Sequence, residues 1–284
     1  MVIATSDYKD RIKGQRSSTS NRLSAVSESS SIVCVQPSCS FQSIWSRLNG
    51  ADLSEQKELA EEILEKAEAN RSRSLAARCV CLSPRASRCP LISTVLHDER
   101  LTIIALTIVK FSHSNPAHWE MLLYIYRSLS GDFVNDVPHI GPHWETVGFQ
   151  DTDPMTDLRG VGVFGLCQLL FLISNGLSSQ KLTQLLELSN DRVQNFPFAI
   201  VSLNWTQMVI DRLKRGKLNR LANQENSVLS VVNGIYRGCF LTFQTLWRAR
   251  QCTTSDFCKI AEEIRTLVKR RPKHLLNMAV LGEW

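Results

Sequence analysis

A single arginine, Arg159, stands where two unlike halves of one stretch meet. The stretch runs from His143 to Ile173 and reads HWETVGFQDTDPMTDLRGVGVFGLCQLLFLI. Its first half is dense in Gly, Pro and Asp, and its second half is the most apolar run of the chain. A guanidinium is permanently charged and donates through a planar fork that matches carboxylates and phosphates. From the residues alone two roles are open for Arg159. The more ordinary is a structural ion pair with Asp153 or Asp157; the other is contact with a second molecule.

The other groups with chemical potential are less convincing. Gly160, Gly162 and Gly165 reproduce the G-x-G-x-x-G dinucleotide fingerprint. That fingerprint works only after a strand and inside a βαβ unit. Asp153-Pro154 and Thr156-Asp157 precede it here, and no stretch shows sustained strand alternation. The expected role of these glycines is to let another backbone approach. His139 and His143 flank a Gly-Pro turn without carboxylate or Cys partners at ligand spacing, so they read as loop residues. Cys79, Cys81 and Cys89 form a C-x-C pair with no fourth ligand, which argues against a structural zinc site. There is no Ser nucleophile elbow and no Walker loop with its Lys. No autonomous active site, cofactor or metal is expected.

The elements around Arg159 must hold it. Val161, Val163, Phe164, Leu166, Cys167, Leu169, Leu170, Phe171 and Ile173 leave almost no polar face. A helix apolar all round is buried or lies in a membrane, and this run falls short of the about 20 residues a bilayer needs. It is therefore expected to be the central helix of a core, capped by Asp157 or Thr156. Arg159 would then fall in its first turn, where the helix dipole disfavours a cation. Trp144 and Phe149 are expected to anchor the preceding loop, Gly148 and Pro154 to shape its turns, and Gln150 and Asp157 to serve its internal hydrogen bonds or contacts with a partner.

The 284 residues, 43% hydrophobic and 21% charged, suit a globular protein with a substantial core. Residues 1–50 hold 13 serines and read as a disordered tail. Residues 51–92 read as an amphipathic helix, Asp52 to Ala69, followed by a linker rich in Arg, Ser and Cys. That helix presents Leu59, Ala60, Ile63, Leu64 and Ala67 and is expected to dock on the main domain. Residues 93–284 read as one all-helical domain with short connections. Its helices centre on Leu101–Phe111, Trp119–Leu129, the central run, Leu182–Val193, Ile200–Leu213, Val228–Leu246, Phe257–Leu267 and Leu276–Val280.

The first 50 residues contain no apolar signal-like run, and nine scattered cysteines favour reduced thiols, so a cytoplasmic location is expected. Between Ile210 and His274 there are 14 Lys/Arg against 5 Asp/Glu, while the whole chain carries only +6. One end is therefore basic and suits an acidic protein face or an anionic membrane surface. A solvated basic helix surface is the plainer reading.

The pattern Trp144-x3-Gly148-Phe149-Gln150-x3-Pro154-x2-Asp157-x-Arg159-Gly160 resembles the signature of the ELMO-domain (engulfment and cell motility) family, closest to its smaller members of the third type. The helix order from Ser93 onward, with Phe196-Pro197-Phe198 and Val231-Val232-Asn233, fits as well, so the resemblance covers about two-thirds of the chain. Asp151 stands where many relatives carry Gly. The resemblance implies an all-α fold and a GTPase-activating protein for ARF or ARF-like small GTPases, with Arg159 as the catalytic finger. It implies no cofactor and no nucleic-acid partner, and a site near membranes or the cytoskeleton. The larger scaffold members, which partner DOCK-type exchange factors, lack that arginine. A non-catalytic scaffold that holds a small GTPase or such a factor is the alternative.

Overall fold

The computed structural model of the chain describes residues 39–78, 90–134 and 136–281. Every regular element among the described residues is helical, as the apolar periodicity predicts. The helices are α1 (Phe41–Asn49), α2 (Ser54–Arg78), α3 (Thr94–Leu106), α4 (Pro116–Ser130) and the single turn α5 (His143–Thr146). After a 3-10 turn at Pro154–Leu158 come α6 (Gly162–Phe171), α7 (Ser179–Ser189), α8 (Phe198–Lys214), α9 (Asn219–Glu225), α10 (Val228–Ala249), α11 (Phe257–Arg270) and α12 (Pro272–Leu281).

Helix α6 is the axis of the bundle. Every residue from Gly162 to Leu170 is buried, Gln168 included. It packs on α8, α4, α1, α3 and α10, which together leave no side for a polar face. Gln168 meets its neighbour through Asn233 of α10, its amide donating to Oδ1 at 3.2 Å. Beyond Phe171 the helix widens into a π turn, Leu172–Gly176, and stops there.

Two adjacent side chains of α3 lock other helices by their ends. The Glu99 carboxylate accepts from the Val228 and Leu229 N–H groups at 2.7 and 3.0 Å and from the Ser227 hydroxyl. A negative charge at the start of α10 satisfies donors that have no partner within the helix. Arg100, 2% exposed, donates from Nη2 to the Leu213 and Lys214 carbonyls at the end of α8. There a cation meets the negative end of the dipole.

Several boundaries differ from the sequence reading. Residues 41–49 are helical although they fall in the serine-rich stretch. Phe41, Ile44 and Leu48 of α1 are buried against α6 and α4, each contributing about 1.5–3 kcal/mol. The serine content masked an apolar i, i+3, i+7 stripe. Residues 1–38 of that stretch lie outside the described residues, as do Cys79, Cys81 and Cys89. Helix α2 continues to Arg78, so the linker is shorter than expected. Asp52 accepts at its start from the Ser54 N–H at 3.1 Å. The helix docks on α3, burying Ala60 and Leu64, while Leu59 stays exposed. Val193 is exposed in a turn after α7 rather than part of it.

Helix α3 ends at Leu106, short of Ile108 and Phe111. The reason lies across the interface. The Leu106 and Thr107 carbonyls face Gly162 so closely that a Cβ there would come within 2.6–2.7 Å. The Val109 carbonyl accepts from the Val163 N–H at 3.1 Å. The backbone of 106–109 thus unwinds to serve the start of α6. No described helix is long and apolar enough to cross a membrane.

Candidate functional site

The loop from Gly141 to Val161 is fastened at both ends and along its length. The Gly141 N–H donates to the Thr152 carbonyl at 2.9 Å, closing one part of the loop on another. Trp144 is fully buried between Trp119, Tyr126 and Phe149, and its indole donates to the His139 carbonyl at 3.0 Å. Phe149 is fully buried too. The His139 ring stacks on His113, 4.6 Å away, and His113 approaches Asp153 at 3.8 Å. Burial, then the stacked His139, holds His113 below the usual histidine range, with Asp153 opposing.

Between Trp144 and Phe149 the loop caps a helix. Helix α8 begins after Pro197 with no side-chain cap. The Val147 and Gly148 carbonyls accept instead from the Ala199 and Ile200 N–H groups at 3.3 and 3.0 Å. Gly148 has φ 93°, and a Cβ there would lie 2.2 Å from the Phe198 nitrogen. No other residue type satisfies both the left-handed backbone and the approach.

Asp157 ties the second half of the loop to the first. It is 6% exposed, and its Oδ2 accepts from the Gln150 N–H at 2.7 Å. Burial pushes its carboxyl up to about 6; the Gln150 and Asp151 N–H groups oppose that, and the Asp151 and Asp153 carboxylates add to it. Pro154 is buried at the start of the 3-10 turn, and Asp153 caps that turn through the Met155 N–H at 2.9 Å.

Arg159 follows that turn. Its neighbours Leu158 and Val161 are buried, 4% and 2% exposed, whereas Arg159 and Gly160 are both exposed. Gly160 has φ 89° and lies over Gln207 of α8. A two-residue step between buried anchors therefore turns the guanidinium outward. Among the described residues Arg159 makes no hydrogen bond and no ion pair.

Two expectations are corrected here. Arg159 has no structural ion pair with Asp153 or Asp157. Asp153 is engaged with Met155 and His113, and Asp157 with Gln150. Nor does Asp157 or Thr156 cap the central helix. That helix starts at Gly162 behind Val161, without a side-chain cap, and Arg159 lies outside its first turn. The unfavourable dipole position foreseen for the arginine does not arise.

The glycine triplet is explained by packing. Gly162 receives the α3 backbone, and Gly165 lies against the Leu203 side chain. The Val163 N–H, which a phosphate would need, is already given to Val109.

Sequence reasoning missed the other wall of the site. Thr107–Phe111 and Met155–Gly160 enclose an open cleft of about 410 Å³, with Arg159 and the exposed Lys110 on its rim. The apolar periodicity running from Leu101 to Phe111 concealed the turn that places Lys110 there.

Residues 102–261, from within α3 to within α11 and including the whole loop, match the ELMO/CED-12 family, and the chain belongs to that family. Among its relatives it is 34% identical to ELMO domain-containing protein 3 of Mus musculus over 188 residues, 66% of this chain and 49% of that one. It is 33% identical to ELMO domain-containing protein 3 of Homo sapiens, with the same coverage. ELMO domain-containing protein B of Dictyostelium discoideum is 26% identical over 163 residues, 57% of this chain and 56% of that one. The chain spans about half the length of the curated relatives it matches first. No solved structure matches it.

Proposed function

We propose that this chain is a GTPase-activating protein for ARF or ARF-like small GTPases and that Arg159 is its finger. The observation that carries the reading is an exposed guanidinium without a hydrogen bond or ion pair among the described residues, set between buried anchors. A charge placed for stability would have found a carboxylate, and Glu145, Asp151, Asp153 and Asp157 all lie within the same loop. The loop's hydrogen bonds and aromatic anchors limit how far Arg159 can wander, and a rigid mount is what transition-state stabilisation needs.

GTP hydrolysis spreads negative charge over the transferring phosphoryl group and the leaving oxygen. A guanidinium inserted in trans stabilises that charge, by about 10³–10⁵ in rate for known fingers. The partner supplies nucleotide, Mg²⁺ and water; this chain supplies one charge in a fixed place. Trp144, Gly148, Phe149, Gln150, Pro154, Asp157 and Gly160 hold that place and do no chemistry.

The basic end has a supporting role. Arg212 of α8 donates to the Lys269 carbonyl of α11 at 2.9 Å, which brings two basic runs side by side. Arg215, Lys217, Lys269, Arg270 and Lys273 are exposed there. Such a surface steers an acidic GTPase face or an anionic membrane toward the molecule.

The test is GTP hydrolysis by a panel of ARF-family GTPases, with and without this protein. Stimulation of at least one member, abolished by Arg159→Lys in a folded variant, is the expected result. Binding of a GTP-loaded member without stimulation would leave a scaffold in place of an activator.

A further inference from the structure

A cleft opens beside Arg159. Its lining is mostly apolar, from Ile108, Val109 and Phe111 on one wall and Met155 and Leu158 on the other. Met155 is 42% exposed, and Ile108 and Val109 are only partly buried. Lys110, on the rim with Arg159, is exposed and makes no hydrogen bond or ion pair among the described residues. Apolar surface left open between two unpaired cations has a specific complement: an apolar side chain with acidic groups beside it.

We infer that this cleft seats a large apolar side chain of the bound GTPase, while Lys110 pairs with a carboxylate next to that side chain. The inference rests on the activator reading of Arg159 and deepens it. At about 410 Å³ the cleft lies at the low end of the roughly 300–1,000 Å³ that encloses small ligands, a size suited to one side chain and its backbone. Large apolar residues set in pockets carry much of the energy of protein interfaces. A methionine at the mouth adapts to the shape that enters. The cleft is therefore expected to set affinity, and Arg159 to set rate.

The experiment uses the full chain and the ARF-family panel loaded with a non-hydrolysable GTP analogue. Affinity is read by titration, and single-turnover hydrolysis at saturating regulator is read with GTP. Met155→Glu and Lys110→Glu, with Met155→Gln as a shape-conserving control, should each keep the wild-type Tm. The two Glu variants should weaken binding by about 10-fold or more, with Met155→Gln between them and wild type, and all three should retain the saturating rate within about threefold. Arg159→Lys should do the reverse. Cleft variants that bind like wild type while Arg159→Lys abolishes the rate overturn the seat and leave the finger standing. Cleft variants that bind weakly while Arg159→Lys hydrolyses like wild type leave the seat and remove the finger. Loss of self-association or of liposome binding with GTPase affinity unchanged assigns the cleft to a second copy or a lipid, and overturns the inference. Absence of binding by every panel member overturns both.

Discussion

Two arginines of the same domain have opposite fates. Arg100, on α3, is 2% exposed and spends its guanidinium on the carbonyl end of α8. Arg159, on the loop after the 3-10 turn, is exposed and has no partner among the described residues. The difference is in what the adjacent backbone has already satisfied. The end of α8 offers open carbonyls, so a cation there is stabilised by the dipole and by hydrogen bonds. In the loop of Arg159, Asp157 accepts from the Gln150 N–H and Asp153 from the Met155 N–H. One arginine is spent on the fold; the other is the one that the proposed function offers to a partner.

Substitutions can break or sharpen that contrast. Arg100→Ala removes two bonds to buried carbonyls and opens a cavity, so it should destabilise by about 3–5 kcal/mol, read as a Tm lower by about 10 °C. Gly148→Ala forces a Cβ into the Phe198 backbone at a left-handed residue and should cost about 2–4 kcal/mol. Its local signature is faster amide exchange at Ala199 and Ile200, whose acceptors lie on the displaced loop.

Asp157 is subtler. Its folded pKa, about 6, lies above the ordinary carboxylate value of 3.8, because burial penalises the charged form. Such a group contributes stability that is fully present below about 4 and is lost as pH rises through about 6. Asp157→Asn keeps an acceptor for the Gln150 N–H without the charge. It should flatten the fall in stability between pH 4 and 6 and gain on the order of 2 kcal/mol above it. Asp157→Ala loses the acceptor and should cost about 1–3 kcal/mol relative to Asp157→Asn at pH 7. Urea unfolding at several pH values separates the two. The smallest effect belongs to Arg159→Lys, whose stability should lie within about 0.5 kcal/mol of wild type.

Much of this was legible in the sequence. The all-round apolar run could only be a central helix; Trp144 and Phe149 are buried, Gly148 has a positive φ, and Pro154 opens the 3-10 turn. Helix α1 was hidden by composition, since serines on its outer face diluted the Phe41, Ile44 and Leu48 stripe. The end of α3 was hidden by periodicity. Ile108 and Phe111 continue the helical spacing, yet tertiary demand from Gly162 and Val163 unwinds the chain there. The state of Arg159 could not be read locally. Both nearby aspartates were plausible partners until the backbone N–H groups that occupy them were in view. The cleft joins segments some fifty residues apart and has no local signal at all.

The most direct test compares stimulated hydrolysis for wild type, Arg159→Lys and Arg100→Lys at saturating regulator, with the folded fraction of each measured alongside. The account predicts that Arg159→Lys keeps its fold and loses stimulation by about 10³-fold or more. Arg100→Lys should lose stability, yet stimulate normally per folded molecule. Equal stimulation by wild type and Arg159→Lys would contradict the account.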